Sequence, residues 1–307
     1  MTDSNSMLIE RDLAHLVHPL HNRKLHAAAG HVWVKAEGVL LTDADGRTYI
    51  DGLSGLWNVV AGHGRKDIVQ AAARQMETLA FCSSYAGSSN VPAIELAERL
   101  ARITYPSITR FFFTSGGGES SDTSFKTARY YWRLKGKPDK TKVVSRQWGY
   151  HGVTLAAMSA TGLSAYWPMF EPRVPGFIQI ASPYPYRYQA PVCVSQGGVS
   201  QGVAAANELE QAILREGPDT VAMFLAEPVQ GAGGVIVPQD DYFSRIREIL
   251  IFPNRNVVCP SRDSMSRNIC WASSSCCLIK NRLRIRKETA RRVSSTFLRI
   301  NPFNASS

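Results

Sequence analysis

Thr114-Ser-Gly-Gly-Gly-Glu-Ser-Ser-Asp-Thr-Ser-Phe-Lys126 is the stretch on which the reading of this chain turns. It follows a short apolar run, Arg110 to Thr114, that reads as a strand. It opens a helical pattern running from about Glu119 to Leu134. Three glycines allow a sharp turn and bring bare backbone N–H groups close to an anion. The helix start adds unpaired N–H donors and the positive end of a dipole. Ser115 adds a hydroxyl. The turn therefore suits a phosphate monoester. It lacks the Gly-Lys-Ser/Thr ending of a P-loop and the GxGxxG spacing of a dinucleotide site. Standing alone, it reads equally well as a tight turn with an N-cap.

The flanking sequence alternates in type. Residues 31–53 read as a β-hairpin, with Val32, Val34, Val39, Leu41, Tyr49 and Ile50 as strand formers and Asp43-Ala-Asp-Gly46 as the turn. Residues 66–80 and 91–103 carry apolar positions at helical spacing. Short apolar strands are expected at 142–145, 177–180 and 221–226, and a helix at 199–216. Residues 182–200, rich in Pro, Tyr, Ser and Gly, read as a surface loop. Buried strands alternating with helices indicate an α/β fold with a mostly parallel sheet.

Two further segments bear on the glycine turn. Trp148-Gly-Tyr-His-Gly152 sets an aromatic among small residues after a strand, and Tyr150 is placed to stack on a flat heterocycle. Glu227-Pro-Val-Gln-Gly-Ala-Gly-Gly234 puts an acid at the end of a buried strand, where ligands gather in open α/β sheets. The plain alternatives are a core tyrosine and a carboxylate in a structural ion pair.

Taken in order, Phe112-Phe-Thr-Ser-Gly-Gly-Gly-Glu-Ser-Ser-Asp-Thr123, Tyr150-His-Gly-Val-Thr154 and Glu227-Pro-Val-Gln-Gly231 resemble the signature of the class III pyridoxal-phosphate-dependent aminotransferases. Asp51-Gly-Leu-Ser-Gly-Leu-Trp-Asn58 and Gly62-His-Gly64 resemble that family's N-terminal region. The resemblance spans roughly residues 7–250. It implies the large domain of a fold type I transferase and transamination between an ω-amino acid or amine and a keto acid such as pyruvate, in a homodimer. It further implies that Ser115, Gly116, Gly117 and Gly118 hold the cofactor phosphate, and that Tyr150, with His151 and Gly152 beside it, stacks on the pyridine ring. Glu227 would lie near cofactor and substrate. Trp57 would line the substrate pocket, its alternative being a core tryptophan.

The chain departs from the family after Leu250. The chemistry needs an Asp against the pyridine nitrogen and a Schiff-base Lys. Neither is recognisable: Asp263 precedes Ser-Met-Ser, and Lys280 and Lys287 lie in Arg-rich sequence. No catalytic residue is therefore assigned, and the family's C-terminal small domain is expected to be missing. The expected organisation is an N-terminal segment over 1–60, an incomplete cofactor-binding domain over 61–250, and an unrelated tail over 251–307 without fixed structure. Eleven of the 35 Lys and Arg fall in that tail against two of the 25 acids, so most of the net charge of +10 lies there. Arg282, Arg284, Arg286, Lys287, Arg291 and Arg292 would suit an anionic surface or nucleic acid, yet no nucleic-acid-reading motif accompanies them.

The remaining signals are exclusions. The hydrophobic content of 44% is enough for a sizeable core. No apolar run is long enough to span a membrane, and the polar N-terminus does not read as a secretory signal, so a cytoplasmic setting is expected. The cysteines form no CxxC pair, so neither a zinc ribbon nor a disulfide framework is expected. His15, His18, His21, His26 and His31 crowd the N-terminus. Pro19 interrupts them and no carboxylate stands at a recognisable ligand spacing, so no metal site is expected.

Overall fold

The computed structural model describes residues 4–19, 22–189 and 198–251, and two-residue strands at 271–272 and 297–298. The chain divides into two compact units, one containing Met1–Asn90 and one beginning at Val91.

In the first unit, α1 (Asn5–His15) is capped by Ser4, whose side chain accepts from the Met7 N–H, and α2 (Arg23–Ala29) is capped in the same way by Asn22. Asp12 on α1 lies 2.7 Å from Nε2 of His26 and 3.0 Å from Nε2 of His18. The argument that no carboxylate accompanies the histidines is thus corrected: folding supplies one that linear spacing hides.

Three antiparallel strands follow, β1 (Trp33–Glu37), β2 (Leu40–Asp43) and β3 (Thr48–Ile50), in that spatial order. The expected hairpin is therefore a three-strand meander. The foreseen turn is present, with the Asp43 carboxylate accepting from the N–H groups of Asp45 and Arg47. The unforeseen turn is at Gly38, whose φ of +57° favours glycine. Next comes α3 (Ser54–Trp57), a single turn of inverted hand, with φ of 51°, 58°, 57° and 66° at Ser54, Gly55, Leu56 and Trp57. The unit continues with α4 (Lys66–Leu79).

The second unit contains α5 (Val91–Ile103), α6 (Gly117–Leu134), β4 (Lys142–Arg146), α7 (Leu155–Ala160), β5 (Phe177–Ile180), α8 (Gln201–Glu216), β6 (Val221–Phe224) and α9 (Tyr242–Ile251). Its sheet is parallel, in the order β5-β4-β6. Successive residues of β4 point to opposite faces. Val144 joins Leu209, Ile213, Tyr242, Ile246 and Ile249 of α8 and α9, while Val143 joins Phe125, Ala128 and Trp132 of α6. Helices thus cover both faces, as an all-parallel sheet requires. Leu209 and Ile213 are completely buried, each contributing about 1.5–3 kcal/mol by transfer from water. Trp132 ties α6 to the sheet by donating its indole N–H to the Ala222 carbonyl at 2.8 Å.

One expected element is absent. Residues 110–114 form no strand, because an extended segment becomes a strand only against a partner, and neither outer strand of the sheet is paired with it. Five helices were not foreseen: α1, α2 and α3 in the first unit, and in the second α7, too short for a periodic signal, and α9, at the limit of the readable pattern. In the tail, Trp271–Ala272 and Phe297–Leu298 pair as β7 and β8; the remainder, with its basic cluster, lies outside the described residues, as do residues 190–197 of the long loop. No helix among the described residues is long and apolar enough to cross a membrane.

Candidate functional site

The glycine turn opens α6 as anticipated, two residues earlier than the pattern suggested. Gly116 is the N-cap and makes no side-chain cap hydrogen bond. The first-turn N–H groups, which have no intrahelical acceptors, are left for an external anion. Gly116 is exposed and Gly117 and Gly118 are half-buried. Ser115 is not an ordinary cap: its own N–H donates to the Glu119 carboxylate at 2.9 Å. Thr114 reaches across the turn, pairing its hydroxyl with that of Ser120 and donating to the Gly116 carbonyl.

The Tyr150-His-Gly152 turn sits directly on this platform. A Cβ at Gly152 would lie 2.5 Å from the Gly118 Cα and 3.0 Å from its nitrogen. Only glycine permits that approach, and its φ of +124° adds a second reason. Ser121 on α6 donates to the His151 carbonyl at 2.7 Å. From the other side, Thr161 accepts from the His151 N–H at 2.9 Å and donates to the carbonyls of Gly152 and Ala157. Tyr150 itself is half-buried.

Glu227 completes the arrangement through the backbone. It is 3% exposed, and its two carboxylate oxygens accept from the N–H groups of Tyr150 and Gly231, each at 2.9 Å. Burial pushes this carboxyl above the ordinary range, against the pull of the two N–H donors and of Arg146. Its structural task is therefore to clamp the Tyr150 turn to the 227–231 loop, rather than to form the contact ion pair that the sequence left open.

Arg146, Thr161 and Ser121 escaped the sequence reading. Arg146 ends β4, is 1% exposed, donates through Nη2 to the Glu227 carbonyl, and lies 5.6 and 5.7 Å from the rings of Tyr242 and Phe243. Its Nε and Nη1 have no hydrogen-bond partner among the described residues, nor does either ring nitrogen of His151. The available signal was an arginine closing the short strand Lys142-Val-Val-Ser-Arg146.

Burial, reinforced by the neighbouring Arg146 charge, lowers the His151 pKa from 6.5 to about 3. The imidazole is neutral in the folded protein at pH values where the unfolded chain begins to bind a proton. Its contribution to stability is full above pH 6.5 and lost as pH falls towards about 3, at about 1.4 kcal/mol per pH unit. Urea unfolding at pH 7 and pH 5 should show this loss, and His151→Gln should flatten it.

All eight expected cofactor residues lie in the second unit. Trp57 belongs to the first, on the inverted turn of α3.

Comparison with known proteins gives the family. The model of the family described as aminotransferase class-III matches residues 22–254. The putrescine–pyruvate aminotransferase of Pseudomonas aeruginosa is 41% identical over 232 residues, covering 74% of this chain and 49% of that protein. A probable aminotransferase of Mycobacterium tuberculosis is 45% identical over 231 residues, covering 75% and 48%. Among solved structures, an (S)-enantioselective ω-transaminase from Thermomicrobium roseum superposes with a TM-score of 0.75 at 46% identity, covering 81% of this chain and 55% of that one. The ω-transaminase of Pseudomonas jessenii, solved in complex with PMP, gives 0.74 at 38% identity, covering 79% and 53%. The chain belongs to the class III aminotransferases, a pyridoxal-phosphate-dependent family of fold type I. It spans about half the length of the curated relatives it matches.

Proposed function

We propose that this chain carries the phosphate-binding half of a transaminase site for an amine or ω-amino acid donor and a keto acid such as pyruvate. The observation that carries the reading is the seating of Gly152 on Gly118 at the open start of α6. It sets the aromatic turn beside unpaired N–H donors and leaves no room for any other residue. Gly116, Gly117 and Gly118 would hold the cofactor phosphate through their amides, with Ser115 beside them. Tyr150 would cover the ring, while His151, Gly152 and Glu227 fix its position. Trp57 would line the amine pocket. The substrate pair follows the printed activities of relatives, among them the β-alanine–pyruvate aminotransferase of P. aeruginosa at 40% identity. The homodimer belongs to the same reading.

The bound cofactor supplies an electron sink for the carbanion left when the amine substrate loses its proton. The chain's own residues provide the rest: amides that neutralise the phosphate, an aromatic face that excludes water, and a buried neutral imidazole. Since no residue matches the family's proton-moving lysine or its pyridine-pairing aspartate, residues 1–307 alone are expected to bind the cofactor without turnover. Borohydride added with pyridoxal phosphate should label neither Lys280 nor Lys287; stoichiometric labelling of either would overturn the inactivity.

Phosphate recognition is tested separately. Pyridoxal phosphate should raise the melting temperature with the logarithm of its concentration above the dissociation constant, and pyridoxal, lacking the phosphate, should not. Ser115→Glu places a second anion beside the phosphate and should weaken binding by about tenfold or more. Equal binding of both vitamers, or no effect of the added charge, would remove the glycine turn from the site.

A further inference from the structure

We infer that Asp12, His18 and His26 form a zinc-binding site that joins α1 to α2. The carboxylate of Asp12 stands between two imidazoles: its oxygens lie 2.9 and 3.0 Å from Nε2 of His18, and Oδ2 lies 2.7 Å from Nε2 of His26. The two rings face each other with centroids 5.3 Å apart and planes 32° from parallel. One ligand atom from each of the three residues falls within 4.8 Å of the other two.

That spacing suits a tetrahedral ion. Bonds of about 2.0–2.1 Å place neighbouring ligand atoms about 3.3 Å apart. Rotations of well under a turn of each side chain would convert the hydrogen-bonded triangle into a coordinated one. Two neutral imidazoles and one carboxylate are the donor set of zinc and its transition-metal neighbours, whereas magnesium and calcium require oxygen ligands. The site is half-open: the side chains of Asp12, His26 and His18 are 13%, 18% and 38% exposed. An ion can therefore enter from solvent and retain water as its fourth ligand.

His18 and His26 stand 6 and 14 positions beyond Asp12 in the chain. Asp12 lies in the last helical turn before His15, His18 follows the helix, and His26 sits on α2. A metal bound there would therefore staple two short helices, of which α1 has Ile9 as its one buried residue. The competing account is a plain hydrogen-bond brace in which each imidazole donates to Asp12. It predicts the same geometry without metal and no selectivity among ions.

The test uses the full chain, free of any affinity tag and stripped with a chelator. Titration with Co²⁺ alone should give one equivalent of visible absorption with the intensity of a four-coordinate centre, bleached by one equivalent of Zn²⁺. Zinc should raise the melting temperature, and the effect should fade on acidification as the ligands take up protons. His18→Ala and His26→Ala should each weaken zinc binding by more than about tenfold, since losing a ligand exceeds the loss from removing a group that merely orients one. His15→Ala, which removes a histidine outside the cluster, should leave it unchanged. Only the weak absorption of a six-coordinate ion, or equal affinity in the His18 and His26 variants and the unaltered chain, would overturn the site. The cobalt spectrum of the unaltered protein decides the matter even if a variant fails to fold.

Discussion

Gly152→Ala should lower stability by about 2–5 kcal/mol, the sum of positive-φ strain and overpacking, and should weaken pyridoxal phosphate binding more than about tenfold. The new methyl would lie 2.5 Å from the Gly118 Cα, 3.0 Å from its nitrogen and 3.0 Å from the Ala157 Cβ. Two of those three atoms are backbone, so no side chain can rotate out of the way. Relief requires moving Gly118, one of the proposed anion donors, and binding and stability must therefore fall together. Gly136→Ala is the control. Gly136 also has a positive φ, +71°, but a Cβ there meets nothing within 4 Å. It should cost about 1 kcal/mol and leave cofactor affinity unchanged. If urea midpoints and absorbance titrations show the two variants behaving alike, the contact between the two turns has no role in binding.

Glu227→Ala should be nearly as damaging. It leaves the half-buried Tyr150 and Gly231 N–H groups without their acceptors, at up to about 1–3 kcal/mol for each. It also frees the Tyr150 turn from the 227–231 loop, so cofactor binding should weaken although Glu227 touches the ring only through the backbone it holds. Glu227→Gln keeps one amide oxygen for one of the two N–H groups and turns an NH₂ towards the other, so it should fall between wild type and alanine in both measurements. Full retention of affinity in Glu227→Ala, at a stability loss of the expected size, would show that the clamp serves folding alone.

The legible part of this protein was the part governed by local chemistry. Residues 221–226 carry unbroken apolar character because both faces of a parallel sheet are buried, and 221–224 of them appear as β6. The glycine run at 116–118 was legible because few other residues turn a chain so sharply. Elements defined by a partner were not. Residues 110–114 have strand composition but are not paired with the described sheet, and the third strand of the meander depended on Gly38, which sits in sequence without other turn residues. The site divided along the same line. Its glycines and Tyr150 announce themselves by type, whereas Ser121 and Thr161 gain meaning only through the His151 carbonyl and N–H they bind. Arg146 is ordinary in sequence and exceptional once buried. Asp12 was overlooked because it precedes its two imidazoles by 6 and 14 positions, and only the turn between α1 and α2 brings them round it.

The run from Ser54 to Trp57 has one more consequence. A left-handed helical residue of L configuration is disfavoured by about 1–2 kcal/mol, and three of these four are not glycine. Leu53 and Ser54 still close the turn by accepting from the N–H groups of Trp57 and Asn58, and Asp51 anchors it at Gly55. In a chemically synthesised chain, D-leucine at position 56 would sit there more comfortably than the natural enantiomer. The indole of Trp57 is likewise mounted on a backbone that glycine would occupy with less strain, so whatever keeps tryptophan at that point resides in its ring.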